Sequence, residues 1–302
     1  MRESRTNSLT ILSHVTHVNV KMEHDFKPIF DCFLSLALCF SLSVTYLASL
    51  YVWKSPYQRD HPSTIKKRFI SVFFMLFIAP CFLFYGLEKS VLQETSLLEI
   101  LGLKTQGLLQ AVILPLVLTM TLFLGPLAME VANGFSKLQT EELDLIWVRS
   151  HIVAPFSEEF TYRSCMLPLL LQCLPPITAV LINPLFFGIA HLHHTRERLK
   201  FGMDFKTAIY IGCFQFAYTT IFGAYSAYLF YRTGHFLTTF VVHAFCNHMG
   251  FPDFLEVASY ERGKKLVIST LFVLGLVLWC FLLKPLTDPT WYHHFPKWYS
   301  IL

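Results

Sequence analysis

Charged side chains are scarce in this sequence. They make up 15% of its 302 residues, against about 25% in an ordinary soluble domain. The net charge is only +4, and the basic residues are spread among short segments. That excludes the concentrated basic face of a nucleic-acid binder. No Cys-x-x-Cys pair occurs among the eight cysteines, at 32, 39, 81, 165, 173, 213, 246 and 280. This leaves no zinc ribbon, dithiol redox motif or regular disulfide framework, and the cysteines read as small buried thiols. There is no Asn-x-Ser/Thr acceptor, Gly-x-Ser-x-Gly turn or His-Glu-x-x-His pair. Internal repeats, low-complexity tracts and domain linkers are also missing. The first thirty or so residues are polar, which does not suit a cleavable signal peptide.

What the sequence has in quantity is apolar surface: 54% hydrophobic residues, 16% aromatic and a mean hydropathy of +0.50. The expected fold class is an all-α polytopic membrane protein, a bundle of about eight transmembrane helices. A spanning helix takes about 20 mostly apolar residues, and candidates lie near 29–53, 68–88, 108–132, 144–171, 173–191, 206–230, 234–250 and 266–285. The expected organisation is a polar N-terminal segment 1–28, a single domain 29–290 and an interfacial tail 291–302 rich in Trp and Tyr. The stretch 89–107 reads as amphipathic and interfacial. Prolines 155, 168, 175, 176 and 184 predict broken or tilted helices in the middle of the chain.

Basic residues alternate between loops. The segments 54–68, 192–206 and 251–265 carry Lys54, Arg59, Lys66, Lys67, Arg68, Arg196, Arg198, Lys200, Lys206, Arg262, Lys264 and Lys265; the other loops hold Lys89, Lys104 and Arg232. The positive-inside rule puts the rich loops in the cytosol. Eight spans would then leave both termini on the far side.

Polar residues concentrate in the fourth to seventh candidates. Ionisable residues at bilayer depth cost roughly 2.5–3.5 kcal/mol each on insertion scales and so must face a polar interior. In EEFTYR (158–163), Glu159 and Arg163 stand four apart on one helix face. Glu158 is rotated about 100° away, which leaves it without a local partner. In FFGIAH (186–191), Phe187 and His191 are four apart; His193 and His194 follow and read as interfacial. In HAFCN (243–247), His243 and Asn247 share a face, and both can donate hydrogen bonds. A structural ion cluster, a core histidine and interhelical polar contacts are the plainer readings of the three. Together they supply a base (Glu158), a second acid–base group (His191) and a donor pair (His243, Asn247). That is the kit for water attack on an amide. A zinc site built from His191, His243 and Glu158 is the rival, but Arg163 stands close enough to repel a cation.

These motifs resemble those of the type II CAAX prenyl proteases, within the membrane-embedded glutamate proteases called CPBP or ABI proteins. The family pattern is EExxxR, FxxxH and HxxxN/B; here it reads EEFTYR, FGIAH and HAFCN, in the same order and spacing. The resemblance implies an endopeptidase of the endoplasmic reticulum membrane whose site opens to the cytosol. Its substrates would be farnesylated or geranylgeranylated CAAX proteins, such as Ras-like small GTPases, from which it removes the last three residues. It implies no metal or other cofactor. Glu158 and His191 would activate water, His243 and Asn247 would hold the oxyanion, and Glu159, Arg163 and Phe187 would support the site. A zinc-dependent CAAX metalloprotease, a non-catalytic scaffold of the same family and a transporter with a proton relay are the competing readings.

Overall fold

The computed structural model describes residues 32–135 and 142–294. The segment 1–28 and the end of the tail, 295–302, lie outside them. Among the described residues every regular element is helical. In chain order these are α1 (Cys32–Ser49), α2 (Pro62–Gly86), the short α3 (Lys89–Glu94) and α4 (Leu97–Ile100), then α5 (Leu108–Leu122) and α6 (Leu124–Ala132). Next comes one long rod, α7, over residues 145–171. It is α-helical at Leu145–Val148, Ala154–Glu159 and Leu167–Leu171, and π-helical at Arg149–Val153 and Phe160–Met166. Then follow α8 (Pro176–His191), α9 (His193–Lys200), α10 (Phe205–Thr233), α11 (Phe236–Met249), α12 (Phe254–Ser259) and α13 (Arg262–Leu286), before a 3₁₀ turn at Pro289–Tyr292.

Local chemistry sets many of the ends. Pro62 opens α2, where its missing N–H costs nothing, and the His61 ring accepts from the Ser63 N–H at 3.2 Å. Asp204 caps α10 through the Thr207 N–H, and Gly234 closes it with φ of 60°. Each π-helical stretch of α7 runs up to a proline, Pro155 or Pro168. A proline ring clashes with the carbonyl four residues back, and a wider turn relieves that clash. At Pro155 and Pro168 the expected breaks therefore take the form of widened turns within a continuous rod, whereas at Pro175 and Pro176 the chain does break, between α7 and α8.

Among the described residues four helices are long and apolar enough to cross a membrane: α1, α2, the α8–α9 rod and α13. The pair α5 and α6, bent by 74°, makes a fifth if it is one broken span. The predicted spans at 144–171, 206–230 and 234–250 correspond to α7, α10 and α11, which do not meet that standard. Polar side chains dilute α10, and α11 has only 14 residues.

The packing puts α7, α8, α10 and α11 in the middle. α8 lies along α10, α11 rests on α7 and α5, α2 covers the second π-helical stretch, and α13 packs on α5 and α6. On α13 the close approach falls at Gly275, where a Cβ would meet the Thr121 carbonyl oxygen at 2.6 Å. The outer helices present bare apolar faces: Phe73, Phe77 and Phe281 are exposed. Ionic contacts tie the N-terminal end of α7 to the 54–68 loop, since Arg149 reaches Asp60 at 2.6 Å. Burial opposes ionisation of Asp60, but Arg149 and Arg59 together hold its carboxyl below the usual range.

The cysteines depart from the expectation of buried thiols. Cys32, at the start of α1, is disulfide-bonded to Cys173, just past α7. Cys81, Cys213 and Cys280 are exposed on the helix surfaces, and Cys39 and Cys165 are buried. The described part of the tail packs back on the chain. Tyr292 is buried with its hydroxyl donating to the Leu286 carbonyl, and the Lys104 ammonium donates to the Tyr292 carbonyl at 3.1 Å.

Candidate active site

The two adjacent glutamates have different surroundings. Glu158 and Glu159 end the central α-helical turn of α7, just before the second π-helical stretch. Both oxygens of Glu159 are engaged. Its Oε1 accepts from His243 Nδ1 at 2.7 Å, and its Oε2 accepts from the Ser226 hydroxyl at 2.6 Å and lies 3.2 Å from Arg163 Nε. Glu159 and Arg163 are both fully buried. Glu158 keeps 19% of its side chain exposed, and the ion-pair contact recorded for it is His243 Nε2 at 3.8 Å. Glu159 is thus consumed in holding helices together, while Glu158, rotated from it along the helix, stays partly open.

The Arg163–Glu159 contact is a charge pairing without aligned hydrogen bonds, since none of the three guanidinium nitrogens has a hydrogen-bond partner among the described residues. The guanidinium instead lies over the Phe187 ring, 4.4 Å from its centroid. Phe187 is the hub of the site. Its ring meets Tyr162 at 5.2 Å, His191 at 4.5 Å and His243 at 6.1 Å, each edge to face. The fit is tight behind it. A Cβ on Gly223 would come within 2.7 Å of Pro184 Cβ and 3.0 Å of Arg163 Nη2, so only a hydrogen suits that position of α10.

Local bonds fix the two histidines. His191 Nδ1 lies 2.8 Å from the Phe187 carbonyl, one helical turn back. A carbonyl only accepts, so Nδ1 carries the hydrogen and Nε2 keeps its lone pair. His243 Nδ1 donates to the Glu159 carboxylate, which likewise leaves Nε2 toward Glu158. In that arrangement His243 Nε2 donates only when the ring is an imidazolium. Asn247, one turn along α11, donates one amide N–H to the Ser150 carbonyl at 2.8 Å and has a second to offer.

Six residues singled out in the sequence thus gather around one centre: Glu158, Glu159, Arg163, Phe187, His191 and His243; Asn247 stands one turn from His243 on an exposed part of α11, tied to Ser150. Sequence reasoning missed the residues that hold them. Ser226 completes Glu159; the Tyr46 and Ser157 hydroxyls bond at 2.9 Å between α1 and α7; Asn183 donates to the Tyr162 carbonyl at 2.8 Å inside the π-helical stretch. The small-residue face of α10, Gly223 and Ser226, was a signal, but it names no partner without the fold.

His193 and His194, expected at the interface, are instead half-buried. Their rings lie 3.8 Å apart, with His194 6.0 Å from His191 and bonded at 3.3 Å to Glu197. His193, His194 and Glu197 are the one group among the described residues with metal-ligand spacing. The zinc rival's set, His191, His243 and Glu158, lacks that spacing. Arg68, 2.5 Å from Glu197, competes with a cation for that carboxylate.

Comparison with known proteins agrees with the motif resemblance. The family profile described as Type II CAAX prenyl endopeptidase Rce1-like matches residues 140–249, the span holding all seven residues. The chain is 40% identical to CAAX prenyl protease 2 of Homo sapiens over 280 residues, covering 88% of this chain and 84% of that protein. It is 36% identical to the protein of that name in Rattus norvegicus, covering 88% and 83%. For the Arabidopsis thaliana protein the identity is 32%, covering 86% and 91%. No solved structure matches the chain. Relatedness at this level over nearly the whole length, with the motif residues converging on one centre, means that the chain belongs to the type II CAAX prenyl endopeptidase family.

Proposed function

We propose that this chain is an intramembrane endopeptidase that removes the C-terminal tripeptide from farnesylated or geranylgeranylated CAAX proteins. The observation that carries the mechanism is the unequal engagement of the two glutamates. Glu159 is saturated, while Glu158 is partly open and faces His243 Nε2. A general base must be free to take a proton. In this reading a water beside Glu158 gives its proton to the carboxylate as its oxygen attacks the scissile carbonyl. Glu158 then passes that proton to the leaving amine. His191 Nε2, its lone pair free, orients the water.

The oxyanion falls to Asn247, through its second N–H, and to His243 as an imidazolium flanked by Glu158 and Glu159. His243 is buried and Asn247 is exposed but tied to the Ser150 carbonyl, so both donors are set before charge develops and need little reorganisation when it forms. Arg163 and Phe187 act through Glu159 and the two rings rather than on the substrate.

The location follows from charge. The basic loops 54–68 and 192–206 meet at one end of the bundle, with Arg68 bonded to Glu197. The Cys32–Cys173 bond lies at the other end of α1 and α7. Basic loops favour the cytosol and disulfides an oxidising lumen, an arrangement that fits the endoplasmic reticulum. The test is cleavage by the purified chain in liposomes. A farnesylated CAAX peptide should release its tripeptide, seen by mass spectrometry, and the bare peptide should be cleaved poorly. At about 0.8 kcal/mol per buried CH₂ the prenyl chain is a large anchor. Equal rates on both peptides would overturn the prenyl-protein reading.

A further inference from the structure

A cavity of about 530 Å³ opens beside the catalytic centre, between the 50–68 segment and α9. None of the seven motif residues lines it. Its wall carries six cations, Lys54, Arg59, Lys67, Arg68, Arg196 and Lys200, against one carboxylate, Glu197. That carboxylate is spent: Arg68 lies 2.5 Å away, and the Tyr51 hydroxyl donates to it at 2.9 Å. Arg59 has Asp60 at 3.3 Å. Lys54, Lys67, Arg196 and Lys200 have no carboxylate within ion-pair distance among the described residues. Such a cavity is built for an anion.

The position says which anion. α8 runs into α9 as one rod, Pro176–Lys200. At 1.5 Å per residue, Arg196 stands about 7.5 Å and Lys200 about 13.5 Å along the axis from His191. A three-residue tail, fully extended, spans about 10 Å. A carboxylate three residues beyond the scissile bond therefore comes to rest between these two cations when the bond sits at His191 and Glu158. His194 bridges the gap, 6.0 Å from His191 and bonded to Glu197. The prenylated cysteine marks one side of the scissile bond, and the free carboxylate marks the chain end three residues away on the other.

We infer that this basic cavity, chiefly through Arg196 and Lys200, binds the C-terminal carboxylate of the substrate and so helps to set the cut at three residues. The inference rests on the tripeptide-removal reading above. The experiment uses the purified full chain in phosphatidylcholine vesicles and two farnesylated peptides, identical except that one ends in a carboxylate and the other in an amide. The wild-type chain should favour the carboxylate about ten- to a hundredfold in kcat/KM, the scale of a charged hydrogen-bonded contact. Arg196→Gln with Lys200→Gln should raise KM for the carboxylate peptide and bring the ratio of the two toward one. Arg196→Lys should restore part of it. Equal wild-type rates on both peptides, or the same loss on both in the double variant, overturns the inference. So does a loss seen only in vesicles containing phosphatidylserine and equal for both peptides, which would assign the cavity to a lipid headgroup. Cleavage of neither peptide by the wild-type chain would instead sink the peptidase reading itself.

Discussion

α7 and α13 show two opposite ways of living in a membrane. Every residue from Phe160 to Met166 on α7 is buried, including Arg163. On α13, 25 residues long, the buried ones are Ile268 and Gly275. The helix whose middle is uncharged, with its cations at the two ends, is the exposed one, and the helix with charges in its middle is the core. Lipid tails are as apolar as leucine, so an outer helix gains little from burial. A charge has nowhere to go but inward, to partners. Stability in the centre of this molecule therefore depends on paired polar groups, and stability at its edge on the bilayer.

That contrast can be broken at its strongest point. Glu158→Gln keeps size and removes the base, and peptidase turnover should fall by about 10²–10⁴-fold or more. Protein yield should hold, because the contact of Glu158 across helices, to His243 Nε2, is long at 3.8 Å, and Glu159 keeps its own bonds to His243 and Ser226. Appreciable turnover by the purified variant would transfer the base to another group. Arg163→Ala tests the other half of the contrast. It leaves Glu159 buried without its cation, a change that typically costs about 3–5 kcal/mol. Melting temperature and abundance should drop along with activity, and adding Glu159→Gln should recover part of the loss. Full abundance of Arg163→Ala would mean that the pair carries no weight.

Asn247→Ala should be smaller in stability and specific to the chemical step. Loss of one oxyanion donor costs about 2.7–4 kcal/mol in the transition state, so kcat should fall with little change in KM. Normal kcat with raised KM would place Asn247 in substrate binding. At the quiet end is Phe281→Leu on α13, where the side chain is 75% exposed. Yield and melting should change by less than about 0.5 kcal/mol, the usual range for a surface site. A large drop there would mean that another surface covers this face.

The all-α class and the membrane character were legible in composition, because repeated apolar runs of membrane length suit a bilayer far better than water. The residues proposed for the site drew notice in the sequence because charges inside such runs demand a polar interior. Glu159 and Arg163 were paired correctly from their spacing alone. What spacing could not give was the third dimension. Nothing in the sequence says that Ser226 meets Glu159 across 67 positions, or that His243 takes the remaining oxygen. The proline signals were read as breaks; Pro175 and Pro176 do part α7 from α8, but at Pro155 and Pro168 the chain absorbs them as wide turns. Cys32 and Cys173 looked like isolated thiols because 141 residues separate them. The expectation of eight spans depends on counting helices whose polar content comes from the site itself.

The bond between those two cysteines makes a closed ring of everything from α1 to the end of α7. A protease that nicks the loop between α1 and α2 opens the ring without freeing a fragment. On a gel the nicked chain should migrate as one piece until thiol is added, then separate into two. The first helix, with Tyr46 bonded to Ser157 beside the catalytic turn, would thus stay with the enzyme after the backbone that joins them is cut.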